Sequence, residues 1–77
     1  MKIQVFALLK EYFHGEFELA SAPNTISALK EQLTGLKPEA KDVLELSRFA
    51  VNDEFVDTTN SLTEDDNVFV IPPSSGG

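Results

Sequence analysis

The chain opens on an apolar run, Ile3, Val5, Phe6, Ala7, Leu8 and Leu9, with Lys2 at its start and Lys10 and Glu11 after it. A run of that length, rich in β-branched and aromatic residues and closed by charge, predicts a first strand over Lys2–Leu9. Tyr12, Phe13, His14 and Gly15 then form a connection. The alternating Glu16-Phe17-Glu18-Leu19-Ala20 predicts a second strand, and the glycine between the two suggests a hairpin. Ser21-Ala22-Pro23-Asn24 breaks the pattern, and beyond it the period changes. Ile26, Leu29 and Leu33 recur at helical spacing on one face, Thr25 is a good N-cap, and Gly35 stands where a helix end favours positive φ.

Pro38 opens a short second helix through Ala40, Val43, Leu44 and Leu46, because its missing N–H has no partner to lose in a first turn. Arg48–Asn52 predicts a strand, Asp53-Glu54 a tight turn, and Phe55-Val56 the start of a return strand. A polar segment, Asp57 to Asn67, contains the acidic turn Thr63-Glu64-Asp65-Asp66, and the last strand spans Val68–Ile71. Pro72-Pro73 ends that strand, since proline offers no ladder donor. The expectation is an α+β domain over residues 1–73, with a mixed sheet of four to five strands, one main helix packed across it and a short second helix. Residues 74–77 are left as a flexible tail.

The first and last strands are apolar on both faces, which is unusual in a sheet that shows one side to water. If Ile3, Val5 and Ala7 face the helix, period two sends Phe6 and Leu8 to the other side. If Val68 and Val70 face it, Phe69 and Ile71 point away. The consequence is an outward cluster of Phe6, Phe69 and Ile71, which Phe55 can extend. A contiguous apolar patch of that kind marks a protein–protein surface; the alternative is that loops of the same chain bury these positions.

Composition narrows the chemistry. The chain has 77 residues, 42% of them hydrophobic, and no cysteine. Chains of this size bury only about 60% of the surface they expose when unfolded, so a deep enclosed active site is not expected. Disulfides, thiolate metal sites and a cysteine nucleophile are excluded, and the single His14 cannot build a histidine metal site alone. Thirteen acidic against six basic residues give a formal charge of -7, which disfavours nucleic acid and anionic membranes as partners. No stretch approaches the roughly 18 apolar residues of a membrane span, and a cytoplasmic location is expected. Asp53-Glu54 and Asp65-Asp66 are adjacent acids in turns and lack the spacing of a calcium loop, so they read as solvated turns. Gly15 and Gly35 are isolated and build no phosphate loop.

The tail is the second informative feature. Ser74-Ser75-Gly76-Gly77 can span roughly 13 Å when extended. Paired glycines let a backbone pass a channel that any Cβ would block, delivering an unhindered carboxylate. A plain flexible terminus or linker has the same composition, so the run gains meaning only from its place directly after the last strand.

The opening VFALLKEY, the helix start Asn24-Thr25-Ile26 with Leu29, the AVND turn with Phe55-Val56, the LTEDDNV turn and the ending IPPSSGG together cover the chain. In these it resembles the MoaD family, the small sulfur-carrier subunits of molybdopterin synthase, which have the ubiquitin-like β-grasp fold. The resemblance implies that Gly77, preceded by Gly76, carries the chemistry. A MoeB-like activating enzyme would adenylate its carboxylate with ATP, a sulfur donor would convert it to a thiocarboxylate, and the tail would deliver sulfur to a pterin precursor inside a MoaE-like large subunit. ATP and the catalytic side chains would belong to those partners, with no cofactor on this chain, and the assembly would be a heterotetramer. The resemblance also implies that Phe6, Phe55 and Ile71 form a docking surface and that Pro72, Pro73, Ser74, Ser75 and Gly76 form the inserted tail. A thiamine-type (ThiS-like) carrier and a ubiquitin-like protein modifier remain alternatives. The thiamine carriers are usually shorter and lack the Pro-Pro form of the ending, and the modifiers typically reach their Gly-Gly through an arginine-containing tail.

Overall fold

The computed structural model describes residues 1–20 and 23–73. Five strands and two helices follow one another as β1 (Lys2–Val5), β2 (Glu16–Glu18), α1 (Ile26–Leu36), α2 (Lys41–Leu46), β3 (Arg48–Val51), β4 (Glu54–Val56) and β5 (Asn67–Ile71). They form one mixed sheet in the order β2-β1-β5-β3-β4. At its centre β1 and β5 run parallel, pairing Ile3 with Val68 and Val5 with Val70, while the other three pairs are antiparallel. This is the α+β, β-grasp arrangement that the sequence predicts.

The hydrophobic alternation decides which side of the sheet is closed. Ile3, Val5, Val68 and Val70 are buried and join Phe49 and Val51 in a core with Ile26, Leu29 and Leu33 of α1 and Ala40 and Leu44 at α2. Leu9 and Leu62 fill in from the connections. The start of α1 is tied down twice. The Thr25 hydroxyl accepts from the Ala28 N–H at 3.1 Å, while the N–H groups of Ile26 and Ser27, which have no partner within the helix, donate to the carbonyls of Asn60 and Thr58. The polar segment after β4 is therefore a cap on α1, and a Thr25–Ser61 bridge fastens it there.

Among the boundaries that differ from the sequence expectation, β5 begins one residue early at Asn67, a 3-10 turn over Pro38–Ala40 precedes α2, and four more differ for local reasons. The first strand stops at Val5: Ala7 takes φ 50 and turns the chain into a 3-10 helix over Ala7–Glu11. Ala7 and Leu8 are consequently exposed, and Leu9 is buried. The second strand ends at Glu18, not Ala20. Gly35 does not end α1, which continues to Leu36, with the Lys37 N–H still donating to the Leu33 carbonyl at 3.0 Å. Pro38 ends it instead, since a residue before proline is pushed out of the α region and Lys37 sits at φ -137, ψ 83. Finally, the tight turn is Asn52-Asp53, at φ 50 and 72, and Glu54 already belongs to β4.

Candidate functional site

On the side of the sheet away from the helices, register brings the expected residues together. Phe69 of β5 lies opposite Ala50 of β3, which lies opposite Phe55 of β4. Ile71 lies opposite Arg48, and Phe6 follows the last paired residue of β1. The rings of Phe6 and Phe69 meet edge to face, with centroids 5.7 Å apart at 80°, an arrangement favoured by the aromatic quadrupole. Phe6, Phe69 and Ile71 are half-buried and Phe55 is 56% exposed. Among the described residues this face is therefore only partly covered, and Phe55 stands open to solvent.

Ala50 stands between Phe69 and Phe55 in the register of β5, β3 and β4. It is 5% exposed and stands outside the main core, a small residue beneath a row of large ones. This part of the outer face is thus a thin second apolar layer whose upper surface meets water.

Sequence reasoning did not single out Arg48. Its guanidinium lies over the Phe55 ring, with Cζ 4.5 Å from the centroid. The signal was available: period two in Arg48-Phe49-Ala50-Val51 assigns Arg48 and Ala50 to the face opposite Phe49 and Val51.

Strand β5 carries this face to the chain end. Ile71 is its last residue, Pro72 is buried and Pro73 exposed. Ser74, Ser75, Gly76 and Gly77 lie outside the described residues. His14 is exposed on the connection between β1 and β2, away from the aromatic cluster in sequence and register. Among the described residues no group of three His, Cys, Asp or Glu side chains is placed to hold a metal ion, and no helix is long and apolar enough to cross a membrane.

Compared with known families, residues 3–77 match the ThiS family. This chain belongs to it. ThiS-family members of the MoaD and ThiS type are ubiquitin-like β-grasp sulfur carriers. Among curated proteins, the molybdopterin synthase sulfur carrier subunit of Dictyostelium discoideum is 32% identical over 81 residues, covering 99% of this chain and 94% of that protein. Solved structures that share the fold include these three. Subunits 1 and 2 of molybdopterin-converting factor from Helicobacter pylori, solved as a protein–protein complex, include a chain with a TM-score of 0.69 at 23% identity, covering 99% of this chain and 96% of that one. SAMP1 from Haloferax volcanii gives 0.79 at 20% identity, covering 99% and 97%. A putative molybdopterin converting factor subunit 1 from Pyrococcus furiosus gives 0.73 at 24% identity, covering 95% of each chain. The ThiS-family match runs through to Gly77, so it includes the terminal residues as well as the folded part.

Proposed function

We infer that this protein is the sulfur-carrier subunit of a molybdopterin synthase, with residues 1–73 as a docking domain and residues 74–77 as the working end. The observation that carries the reading is continuity. The aromatic face and the chain end share the central strand β5, so a partner that grips Phe6, Phe69, Ile71 and Phe55 receives whatever follows Pro73. The similarity to the Dictyostelium discoideum carrier subunit supports the choice of pathway.

The chemistry needs no side chain from this protein. A carboxylate at neutral pH is a poor electrophile. In the proposed cycle the Gly77 carboxylate attacks the α-phosphate of ATP on an activating enzyme of the MoeB type, and pyrophosphate leaves. A donor at the oxidation level of hydrosulfide attacks the resulting acyl-adenylate carbon, forming a C–S bond as AMP departs. The thiocarboxylate enters the large subunit, whose side chains activate the pterin precursor, and two such deliveries complete a dithiolene. Gly76 and Gly77 admit the chain to both narrow sites, Ser74 and Ser75 extend it, and Pro72 and Pro73 end the strand that precedes it. The assembly is a cytoplasmic heterotetramer of two small and two large subunits.

Incubation with the activating enzyme, ATP and a sulfur source, followed by intact mass measurement, is expected to show one oxygen replaced by sulfur. Deleting Gly76 and Gly77 should abolish sulfur transfer while leaving binding to the large subunit. An unchanged mass with a competent activating enzyme overturns the reading. A thiamine-type carrier, favoured by the family's own name, would acquire the same sulfur but deliver it to a thiazole-forming enzyme, and pull-down of that enzyme in place of a large subunit would reverse the choice.

A further inference from the structure

Arg48 is the chain's one arginine, and it stands beside the apolar cluster of the outer face on a protein of net charge -7. Register sets it opposite Ile71, and its guanidinium is stacked on Phe55 at 4.5 Å. Stacking satisfies one face of the planar group and leaves its N–H edges pointing outward in a fixed fork. Nothing on the described part of the chain takes up those donors. The ion pairs among the described residues are Met1–Glu18 and Lys2–Glu16, neither of which involves Arg48. Asp57, two residues beyond Phe55, is turned into its own loop, where Oδ1 accepts from the N–H and the hydroxyl of Thr59. A depression beside the guanidinium, lined by Ser47, Arg48, Phe55, Asp57 and Thr58 among others, gives an incoming side chain a seat.

We propose that Arg48 is the charged anchor of the docking face and that the partner brings it a carboxylate, an Asp or Glu side chain set within an apolar surface. The inference rests on the docking reading above and names the partner chemistry that the face selects. A protein covering Phe55, Phe69 and Ile71 must also strip water from Arg48. An unpaired charge buried there opposes binding, whereas a carboxylate meeting the fork in bidentate fashion offsets the desolvation. A wholly apolar or locally basic surface is rejected, so the pair acts as a selector. Because the small protein is itself acidic, the partner's surface around that single carboxylate is neutral or basic.

Binding of the purified large subunit from the same source is the test, read as affinity and dissociation rate for the full chain and its variants. Arg48→Ala is expected to weaken binding by about thirtyfold or more, chiefly through faster dissociation, and Arg48→Lys to recover only part of the loss. Arg48→Glu should be restored by reversing the partner's facing acid to arginine. Phe69→Ser serves as the control for the face as a whole, with circular dichroism confirming that each variant is folded. Weak binding by Phe69→Ser with full binding by Arg48→Ala overturns this inference and leaves the docking reading standing. Full binding by both, or no binding by the unaltered protein, overturns the docking reading and this inference with it. Loss of the Arg48→Ala effect in a chain lacking Gly76 and Gly77 shows that Arg48 acts on its own terminus, which also overturns the proposal.

Discussion

At the scale of single residues, a small polar junction joins the hairpin turn to the start of β5. The Asn52 amide donates to Asp66 Oδ1 at 3.1 Å, the Thr63 N–H donates to Asp66 Oδ2 at 2.9 Å, and Asn52 Oδ1 accepts from the Asn67 N–H. The Thr63 N–H is the main cause that holds the Asp66 carboxyl below the usual 3.8, with partial burial opposing and Asn52 assisting. A carboxyl whose folded value lies below its unfolded one adds stability above the unfolded value and loses it as pH falls through the folded one. Asp66→Asn is therefore expected to lower the urea midpoint at neutral pH. The gap to the unaltered protein should close as the solution is acidified below pH 3.8. A gap that stays constant across that range would show that charge at Asp66 is irrelevant. Ala7 illustrates a residue whose conformation was not legible: a left-handed alanine is unfavourable by its own preference, and only the burial of Leu9 just beyond it makes the turn worthwhile.

At the scale of elements, what was legible tracked periodicity, and what was missed tracked punctuation. Strand faces and the buried stripe of α1 followed from spacing alone, because a helix or strand must bury its apolar side. Glycine was over-read. Gly35 can remain helical, and α1 runs past it until Pro38 forbids continuation at Lys37. The turn between β3 and β4 was misplaced by one residue because Asn52-Asp53 and Asp53-Glu54 look alike in composition. Two consecutive positive φ values identify the former as the hairpin turn that matches strand twist, for which asparagine then glycine is the preferred pair. Asp53→Gly should accordingly raise stability by about 0.5–1 kcal/mol, provided relief of strain outweighs the extra freedom of the unfolded chain. Thermal unfolding measures it, and a fall in melting temperature would contradict the strain argument. The same spacing rule that placed the core also brings Arg48 to the aromatic face, whereas its stacking on Phe55 needed the register of β3 with β4.

For the whole molecule, one core serves both helices and the sheet. A chain of this length is stable by about 4–12 kcal/mol, and Leu29, fully buried beneath the sheet, accounts for a large share. Leu29→Ala is expected to cost about 2–5 kcal/mol in urea unfolding, and a loss well under 1 kcal/mol would mean that α1 packs less tightly than its burial indicates. The candidate site was legible as residue identities, Phe6, Phe55, Phe69 and Ile71, but its assembly depends on a pairing between the two ends of the chain that no local pattern announces. That pairing has a bearing on biosynthesis. Strand β5 is the middle of the sheet and also the last of the described strands in chain order, so β1 waits without its parallel neighbour until β5 has been made. A chain that stops short of β5 therefore has neither the middle of its sheet nor the Phe6–Phe69 contact.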